Sequence, residues 1–228
     1  MKDFSSAKFH SLILILNLSF SSSFIIYLIK TGEMKLSQIK SKLRVKELAE
    51  VYTNEREVNS MLDLVKEYSY DIEKRFLEPA CGNGNFLIKI LERKLKTVKE
   101  LYSHKSLKEY EFNVCLALSS MYGVDICPEN VHETKERLFH RVFDEFYLSR
   151  NTDFPNPKFA KSVYYILHNN IICGNTLKDL DMRFTEFKKG KKKFSFLQKR
   201  FFFKELFNEQ PKQYYTLKEK DYLNIGGI

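Results

Sequence analysis

The order of apolar and polar residues between positions 75 and 173 predicts strands that alternate with helices. Three short apolar runs have the length of buried strands: residues 75–79, 121–126 and 170–173. Four intervening segments repeat apolar side chains at helical spacing: residues 85–101, 110–119, 128–147 and 159–169. This order predicts an α/β fold in which crossover helices join the strands of a parallel sheet.

Two further segments upstream of the first predicted strand are helical in pattern. Residues 35–50 are charged, and residues 56–68 place apolar side chains at helical spacing. Thr53 and Asn54 lie directly before the second segment and are favourable N-cap residue types. Residues 56–68 are therefore predicted to form an amphipathic helix.

The amino-terminal residues 11–29 carry no charge and have the length of a transmembrane helix. Asn17 and a serine cluster weaken this interpretation, and no small-x-small site follows that would indicate a signal peptide. Met34 begins a basic segment that would serve as a start, so residues 1–33 can also be an upstream extension. The three interpretations stay open, although a membrane is not the partner we expect.

The region after residue 175 loses the clear periodicity of the central part. Residues 188–193 form a charge run around one glycine, and residues 194–207 are dense in phenylalanine. Such a run can be a solvated turn beside a core segment, or a surface on which nucleic-acid bases stack. We expect the chain to divide into an apolar extension, a central α/β domain and a basic, phenylalanine-rich segment, at residues 1–33, 34–180 and 181–228.

Charge and cysteine content narrow the class of protein. The 228 residues carry a formal net charge of +9, with a pI of about 9.2. A basic chain favours a polyanionic partner, nucleic acid first and an acidic membrane surface second, although an AT-rich genome also enriches lysine. The four cysteines form no CxxC pair and no zinc-ligand spacing, which indicates reduced thiols in a cytoplasmic protein and no metal site.

Glycines cluster where the predicted strands begin or end. Four of the eight glycines are there, namely Gly82, Gly84, Gly123 and Gly174. Open parallel sheets bind ligands at the carboxyl edge of their strands, and a glycine-containing turn before a long helix lets a ligand approach the backbone and the helix amino terminus. Glu78 precedes this turn as a potential hydrogen-bond acceptor.

Asp125 ends the second predicted strand and has two possible roles. A carboxylate at that position commonly binds the ribose hydroxyls of a nucleotide-like ligand, but it can equally cap the next helix. It follows the glycines by more than the roughly twenty residues typical of a simple dinucleotide-binding unit. The spacing therefore argues against an NAD-binding domain.

Four segments resemble the adenine-N6 DNA methyltransferases of bacterial restriction–modification systems, in the group whose cofactor motifs precede the catalytic motif. The segments are AEVYTNEREVNSMLDLV, FLEPACGNGNFL, YGVDICPENVHETKERL and NIICGNTL, so the resemblance covers about residues 42–180. It implies a Rossmann-like fold that binds S-adenosylmethionine, with DNA as the partner.

The resemblance also implies the residues of the cofactor site. Glu50 and Thr53 would border the methionine part, Asp125 would hold the ribose, Ile126 would contact the adenine and Asn175 would meet the adenine amino group. The remaining implied site residues form one continuous loop and helix start: Glu78, Pro79, Ala80, Cys81, Gly82, Asn83, Gly84, Asn85 and Phe86.

The sequence departs from the family pattern in three places. Asn54 replaces a usual proline, and Asn175 replaces a usual aspartate. The catalytic tetrapeptide Asn/Asp-Pro-Pro-Tyr/Phe does not occur. We therefore expect an incomplete fold, with catalytic residues unknown. The chain would be a subunit or truncated form whose catalysis needs a second methyltransferase or restriction chain. The alternative is a non-catalytic nucleic-acid-binding or assembly module.

Overall fold

The computed structural model describes Leu14–Leu16, Ile25–Ile26 and residues 54–150, 156–207 and 215–226. The amino-terminal elements are two strands and two helices: β1 (Leu14–Leu16), β2 (Ile25–Ile26), α1 (Glu55–Asp63) and α2 (Lys66–Tyr70). The central elements follow as β3 (Arg75–Glu78), α3 (Asn85–Tyr102), α4 (Leu107–Ser119), β4 (Met121–Asp125), α5 (Pro128–Arg150), α6 (Pro157–Asn170) and β5 (Ile171–Cys173). The last elements are β6 (Arg183–Lys189), β7 (Ser195–Phe202), a 3-10 helix (Phe203–Phe207), β8 (Tyr215–Asp221) and a second 3-10 helix (Tyr222–Asn224).

Two sheets organise these elements. The first has the strand order β2-β1-β3-β4-β5, in which β3, β4 and β5 are parallel and β1 is antiparallel to β3. The second is the antiparallel meander β6-β7-β8. The predicted parallel α/β arrangement is therefore confirmed for three strands.

One face of the parallel strands packs against the helices. The periodic positions of α3 supply much of this core, because Leu87, Ile90 and Leu91 are all at most 1% exposed. Phe76 of β3 and Leu138 of α5 belong to the same apolar cluster. The amphipathic pattern of the central helices is thus explained by burial against this face of the sheet.

The other face packs against the carboxyl-terminal meander. Leu77, Tyr122 and Val124 of β3 and β4 contact an apolar cluster that includes Phe184 and Phe201. Tyr122 meets both phenylalanine rings edge-on, at centroid distances of 5.5 and 5.8 Å. The phenylalanine-rich segment therefore covers the face of the sheet that the helices leave free.

Several predicted bounds differ from those observed. The predicted helix over residues 56–68 is interrupted after Asp63, where Leu64 is 73% exposed. The charge run at residues 188–193 spans the last two residues of β6 and the turn of the β6–β7 hairpin, so the interpretation as a turn beside a core segment is confirmed. Phe196 and Phe201 are at most 7% exposed, so their rings pack in the protein and cannot stack on bases.

The amino-terminal predictions fall mostly outside the described residues. Within residues 11–29 the structure describes only β1 and β2, and the helical pattern at residues 35–50 lies outside the described part of the chain. In the part that is described, no helix is both long and apolar enough to span a bilayer.

Candidate functional site

The loop between β3 and α3 lies at the carboxyl edge of the parallel strands. The Cys81 N–H donates to the Val124 carbonyl of β4 at 2.8 Å, and the Gly84 N–H donates to the Cys81 carbonyl at 2.8 Å. Gly84 precedes the first residue of α3 without a side-chain cap. The amino terminus of α3, where the first backbone N–H groups have no acceptor within the helix, therefore opens onto this edge.

The two loop glycines serve different purposes. Both have a positive φ, +52° at Gly82 and +87° at Gly84, which side chains other than glycine rarely adopt. A Cβ at Gly84 would lie 2.8 Å from the Thr134 methyl carbon, whereas a Cβ at Gly82 would meet nothing within 4 Å. Gly84 thus permits close packing of the loop on α5, and Gly82 leaves open space that a ligand can fill.

Glu78 is a buried carboxyl group at the end of β3. It is 2% exposed, and its Oε1 accepts a hydrogen bond from the Ala80 N–H at 3.3 Å, while its Oε2 has no hydrogen-bond partner. Burial is the main cause that raises the pKa of Glu78 to about 8; the Ala80 hydrogen bond opposes this shift, and the nearby Asp125 carboxylate adds to it. The site therefore contains an orphaned acid that a cationic or donor group can satisfy.

Asp125 connects β4 to the glycine loop. Its Oδ2 accepts from the Gly82 N–H at 2.8 Å, and its Oδ1 accepts from the Cys127 N–H at 2.9 Å and the Asn130 side chain at 3.3 Å. The bond to Cys127 is a local Asx turn and not a helix cap, because the Cys127 carbonyl accepts the first hydrogen bond of α5 and Cys127 is therefore the N-cap. A carboxylate has about four lone-pair positions, so one remains for a ligand. The next residue, Ile126, is 58% exposed.

Helix α5 adds contacts to the loop that the sequence analysis missed. The Thr134 hydroxyl donates to the Gly82 carbonyl at 2.9 Å, and Arg137 donates to the Asn83 carbonyl at 2.5 Å and the Asn85 side chain at 3.0 Å. Thr134 is fully buried in spite of its hydroxyl group. The sequence feature that could have indicated these contacts is a row of polar residues on one face of α5, at positions 130, 134 and 137.

The turn after β5 completes this edge. The Gly174 N–H donates to the Asp125 carbonyl at 3.0 Å, and the Thr176 hydroxyl donates to the Pro79 carbonyl at 3.3 Å. The Asn175 side chain accepts from the Leu177 N–H at 3.0 Å. Asn175 therefore caps its own turn and has acceptor capacity left for one further donor.

Helix α1 runs alongside α3. Lys89, in the first turns of α3, pairs with Glu55 at 2.6 Å, and Arg93, one turn later, pairs with Asp63 at 2.7 Å. The amino terminus of α1 therefore lies near that of α3, at the carboxyl edge of the sheet. The predicted site residues Glu50 and Thr53 precede α1 in sequence and lie outside the described residues.

The remaining predicted site residues divide into two groups. The backbone of the loop and the side chains at the three strand ends come together at one edge: Glu78, Pro79, Ala80, Gly82, Asn83, Gly84, Asn85, Asp125, Ile126 and Asn175. Cys81 and Phe86 are 6% and 4% exposed and belong to the helix-side core. Only the backbone of Cys81 can face a ligand, and burial raises the pKa of its thiol far above the usual range.

The charge at this edge is negative. The Asp125 carboxylate lies within it, and Glu133 reaches it through a hydrogen bond from the Asn83 side chain at 3.1 Å, whereas Glu78, with a pKa of about 8, is mostly protonated near neutral pH. Within the described residues, no group of three histidine, cysteine or acidic side chains could hold a metal ion. A cavity of about 320 Å³ lies elsewhere, beside Arg75 and Ser120 at the amino ends of β3 and β4. The edge that carries the loop is thus suited to an organic cation.

Comparison with known proteins gives one informative match. No family model matches the chain, and no solved structure matches it. The chain is 27% identical, over 133 residues, to a Methanocaldococcus jannaschii protein whose name is that of a type II restriction enzyme and methyltransferase. The matched region is 57% of this chain but 11% of that protein, so the chain is similar to a small part of a much longer relative.

Proposed function

We propose that this chain binds S-adenosylmethionine at the carboxyl edge of β3–β5 and is the cofactor-binding part of a restriction–modification DNA methyltransferase that acts on adenine N6. The observation that carries the proposal is the loop from Glu78 to Gly84, with its orphaned buried carboxyl group and its open glycine, tied to Asp125 at the end of β4. The similarity to a protein named as a restriction enzyme and methyltransferase supports it.

The residues at this edge fit the cofactor by charge and shape. S-Adenosylmethionine carries a sulfonium and an ammonium group, and when bound it would supply an electrophilic methyl group. Glu78 would accept a hydrogen bond from the ammonium or a hydroxyl group, and Asp125 would accept one from the ribose. Exposed Ile126 offers an apolar surface for the adenine, and Asn175 can accept from the adenine amino group.

Catalysis requires groups that this chain does not carry in recognisable form. In the resembled family, an Asn/Asp-Pro-Pro-Tyr/Phe motif holds and stacks the extruded adenine, and this tetrapeptide is absent from the 228 residues. We therefore propose that a second methyltransferase or restriction chain, or a continuation of this one, positions the target base. The role of the chain itself is to bind and orient the cofactor.

Isothermal titration with S-adenosylmethionine tests the proposal. Asp125→Asn should weaken binding by about 10-fold or more, because a hydrogen bond to a charged group contributes about 1.5–3 kcal/mol. Asp144→Asn is the matched control, since the exposed Asp144 lies on α5 far from the loop and should leave binding unchanged. Absence of heat at millimolar cofactor, with the folded protein, would refute the proposal.

The alternative function, a non-catalytic nucleic-acid-binding or assembly module, makes a different set of predictions. Such a module would bind DNA in a salt-dependent manner but would bind no S-adenosylmethionine. A methylation assay on DNA, with and without the products of neighbouring genes, would then show no transfer in either case. Transfer only in the presence of a second gene product would instead support a split methyltransferase.

A further inference from the structure

The turn of the β6–β7 hairpin presents three consecutive lysines, Lys191, Lys192 and Lys193, which we call the lysine tip. All three are exposed. Their backbone is fixed, because the Gly190 N–H donates to the Ser195 carbonyl at 2.9 Å and the Ser195 N–H donates to the Lys192 carbonyl at 3.3 Å. The three ammonium groups therefore extend from a defined turn.

Of the acidic residues near the tip, Glu73 and Glu186 pair with cations outside it, whereas Glu219 contacts the backbone of the tip itself. Glu73 pairs with Lys189 at 2.5 Å, and Glu186 pairs with Arg75. Glu219 accepts from the backbone N–H of Lys192 at 2.6 Å and from the Ser195 hydroxyl group.

The lysine side chains themselves are left for solvent or for a ligand. Among the residues that the structure describes, none of the three forms a side-chain ion pair, and Lys193 lies over the Phe194 ring at 4.8 Å. Adjacent like charges repel one another, and a polyanion would relieve that repulsion.

The tip lies at the opposite end of the domain from the glycine loop. Glu73 and Arg75, which contact the hairpin, stand at the amino end of β3, whereas the loop follows its carboxyl end. Strand β6 has seven residues, so it carries the chain roughly 20 Å from the carboxyl edge to the tip. A duplex at the cofactor edge and a duplex on the tip would therefore occupy separate surfaces.

We propose that the lysine tip binds the phosphate backbone of duplex DNA, as a contact separate from the cofactor edge. The proposal rests on the proposed function, which makes DNA the substrate. The cofactor edge has the carboxylates of Asp125 and Glu133, which suit a cationic cofactor and repel phosphate. Affinity for DNA must therefore come from another surface, and the tip combines exposure, cation density and a fixed backbone.

A triple variant of the full chain, with Lys191, Lys192 and Lys193 all changed to Glu, tests the tip. Its binding to a labelled non-specific duplex should be weaker, and the slope of log affinity against log salt should be shallower by about 2 to 3, because each phosphate contact contributes about 0.9. The matched control changes the exposed Lys66, Lys96 and Lys161 to Glu, which alters net charge equally but at scattered positions on α2, α3 and α6. The control should keep the parent slope.

Equal slopes for the tip variant and the control, whether changed from the parent or not, would overturn the proposal. Titration of the tip variant with S-adenosylmethionine separates this outcome from failure of the proposed function. Parental cofactor affinity with an unchanged salt slope refutes the tip alone. A tip-dependent salt slope in a chain that binds no cofactor refutes the methyltransferase proposal and leaves the DNA contact standing.

Discussion

Replacement of Gly84 by alanine should destabilise the protein much more than the same change at Gly82, although the two glycines are two residues apart. Both have a positive φ, and that backbone conformation costs an alanine about 1–2 kcal/mol. At Gly84 the new methyl group would also lie 2.8 Å from the Thr134 methyl carbon. Overpacking of this kind costs about 1–3 kcal/mol. The free energy of unfolding should therefore fall by about 2–5 kcal/mol for Gly84→Ala and by about 1–2 kcal/mol for Gly82→Ala.

Thr134 cannot easily move away from a methyl group at position 84. It is fully buried, its β-branched side chain is restricted at χ1, and its hydroxyl group donates to the Gly82 carbonyl at 2.9 Å. Thr134→Ser removes the clashing methyl group and keeps the hydroxyl, so it should recover part of the loss when combined with Gly84→Ala. A double-mutant cycle should show this coupling, while Thr134→Ser combined with Gly82→Ala should be additive.

Urea denaturation measures the stabilities, and cofactor titration measures a separate effect. Gly82→Ala fills the open space in front of the loop, so it should weaken S-adenosylmethionine binding more than its small loss of stability suggests. Equal destabilisation by the two alanine substitutions, or no coupling between Gly84→Ala and Thr134→Ser, would refute the steric argument. Parental cofactor affinity in Gly82→Ala would refute the assignment of that space to a ligand.

Three further predictions concern single residues. Because burial raises the pKa of Glu78 to about 8, the folded state holds more protons than the unfolded state between pH 4.5 and 8, and the free energy of unfolding should fall as the pH rises through this range. In denaturation curves measured across pH, Glu78→Gln should remove this dependence on pH. The same dependence in the variant and the parent would contradict the argument. Cys173 is the one exposed cysteine of the four, so iodoacetamide should modify it alone. Partial burial and the nearby Asp125 carboxylate raise its thiol pKa, so the reaction should be faster at higher pH. Mass spectrometry should show that S-adenosylmethionine slows the labelling, and labelling unaffected by the cofactor would count against a ligand there. Arg93 binds Asp63, so Arg93→Ala should cost about 3 kcal/mol in thermal unfolding, against less than about 0.5 kcal/mol for the exposed Lys96→Ala on the same helix; similar values would show that the pairing contributes nothing.

The sequence predicts the central elements well because their apolar positions face one core. Helix α3 was predicted to start at residue 85 and does so, since its buried positions recur at helical spacing. The meander β6-β7-β8 was not predicted. Consecutive residues of β6 from Phe184 to Phe187 are buried, and one of them is the charged Glu186, which pairs with Arg75. Burial on both faces removes the alternation by which a strand is recognised.

Site residues that are neighbours in sequence could be predicted, whereas those that come from distant parts of the chain could not. Glu78, Gly82 and Gly84 were found because a strand, a glycine turn and a helix adjoin in sequence. Thr134 and Arg137 contact that turn from more than fifty positions away, and the polar row on α5 to which they belong does not indicate which loop they contact. The sequence alone does not distinguish the two possible roles of Asp125. Its hydrogen bonds show that the carboxylate binds both the glycine loop, at Gly82, and the residue before α5, at Cys127.

The sheet itself limits how a second chain could complete the methyltransferase. In a doubly wound sheet, the strand that opens the second half lies beside the first strand and parallel to it. Here β1 lies beside β3 on that side and is antiparallel, while the meander covers the face below Leu77 and Tyr122. A partner that continued the sheet in the usual order would have to displace β1. The helices cover one face of β3 and β4 and the meander covers the other. The cofactor edge can therefore form without such a partner.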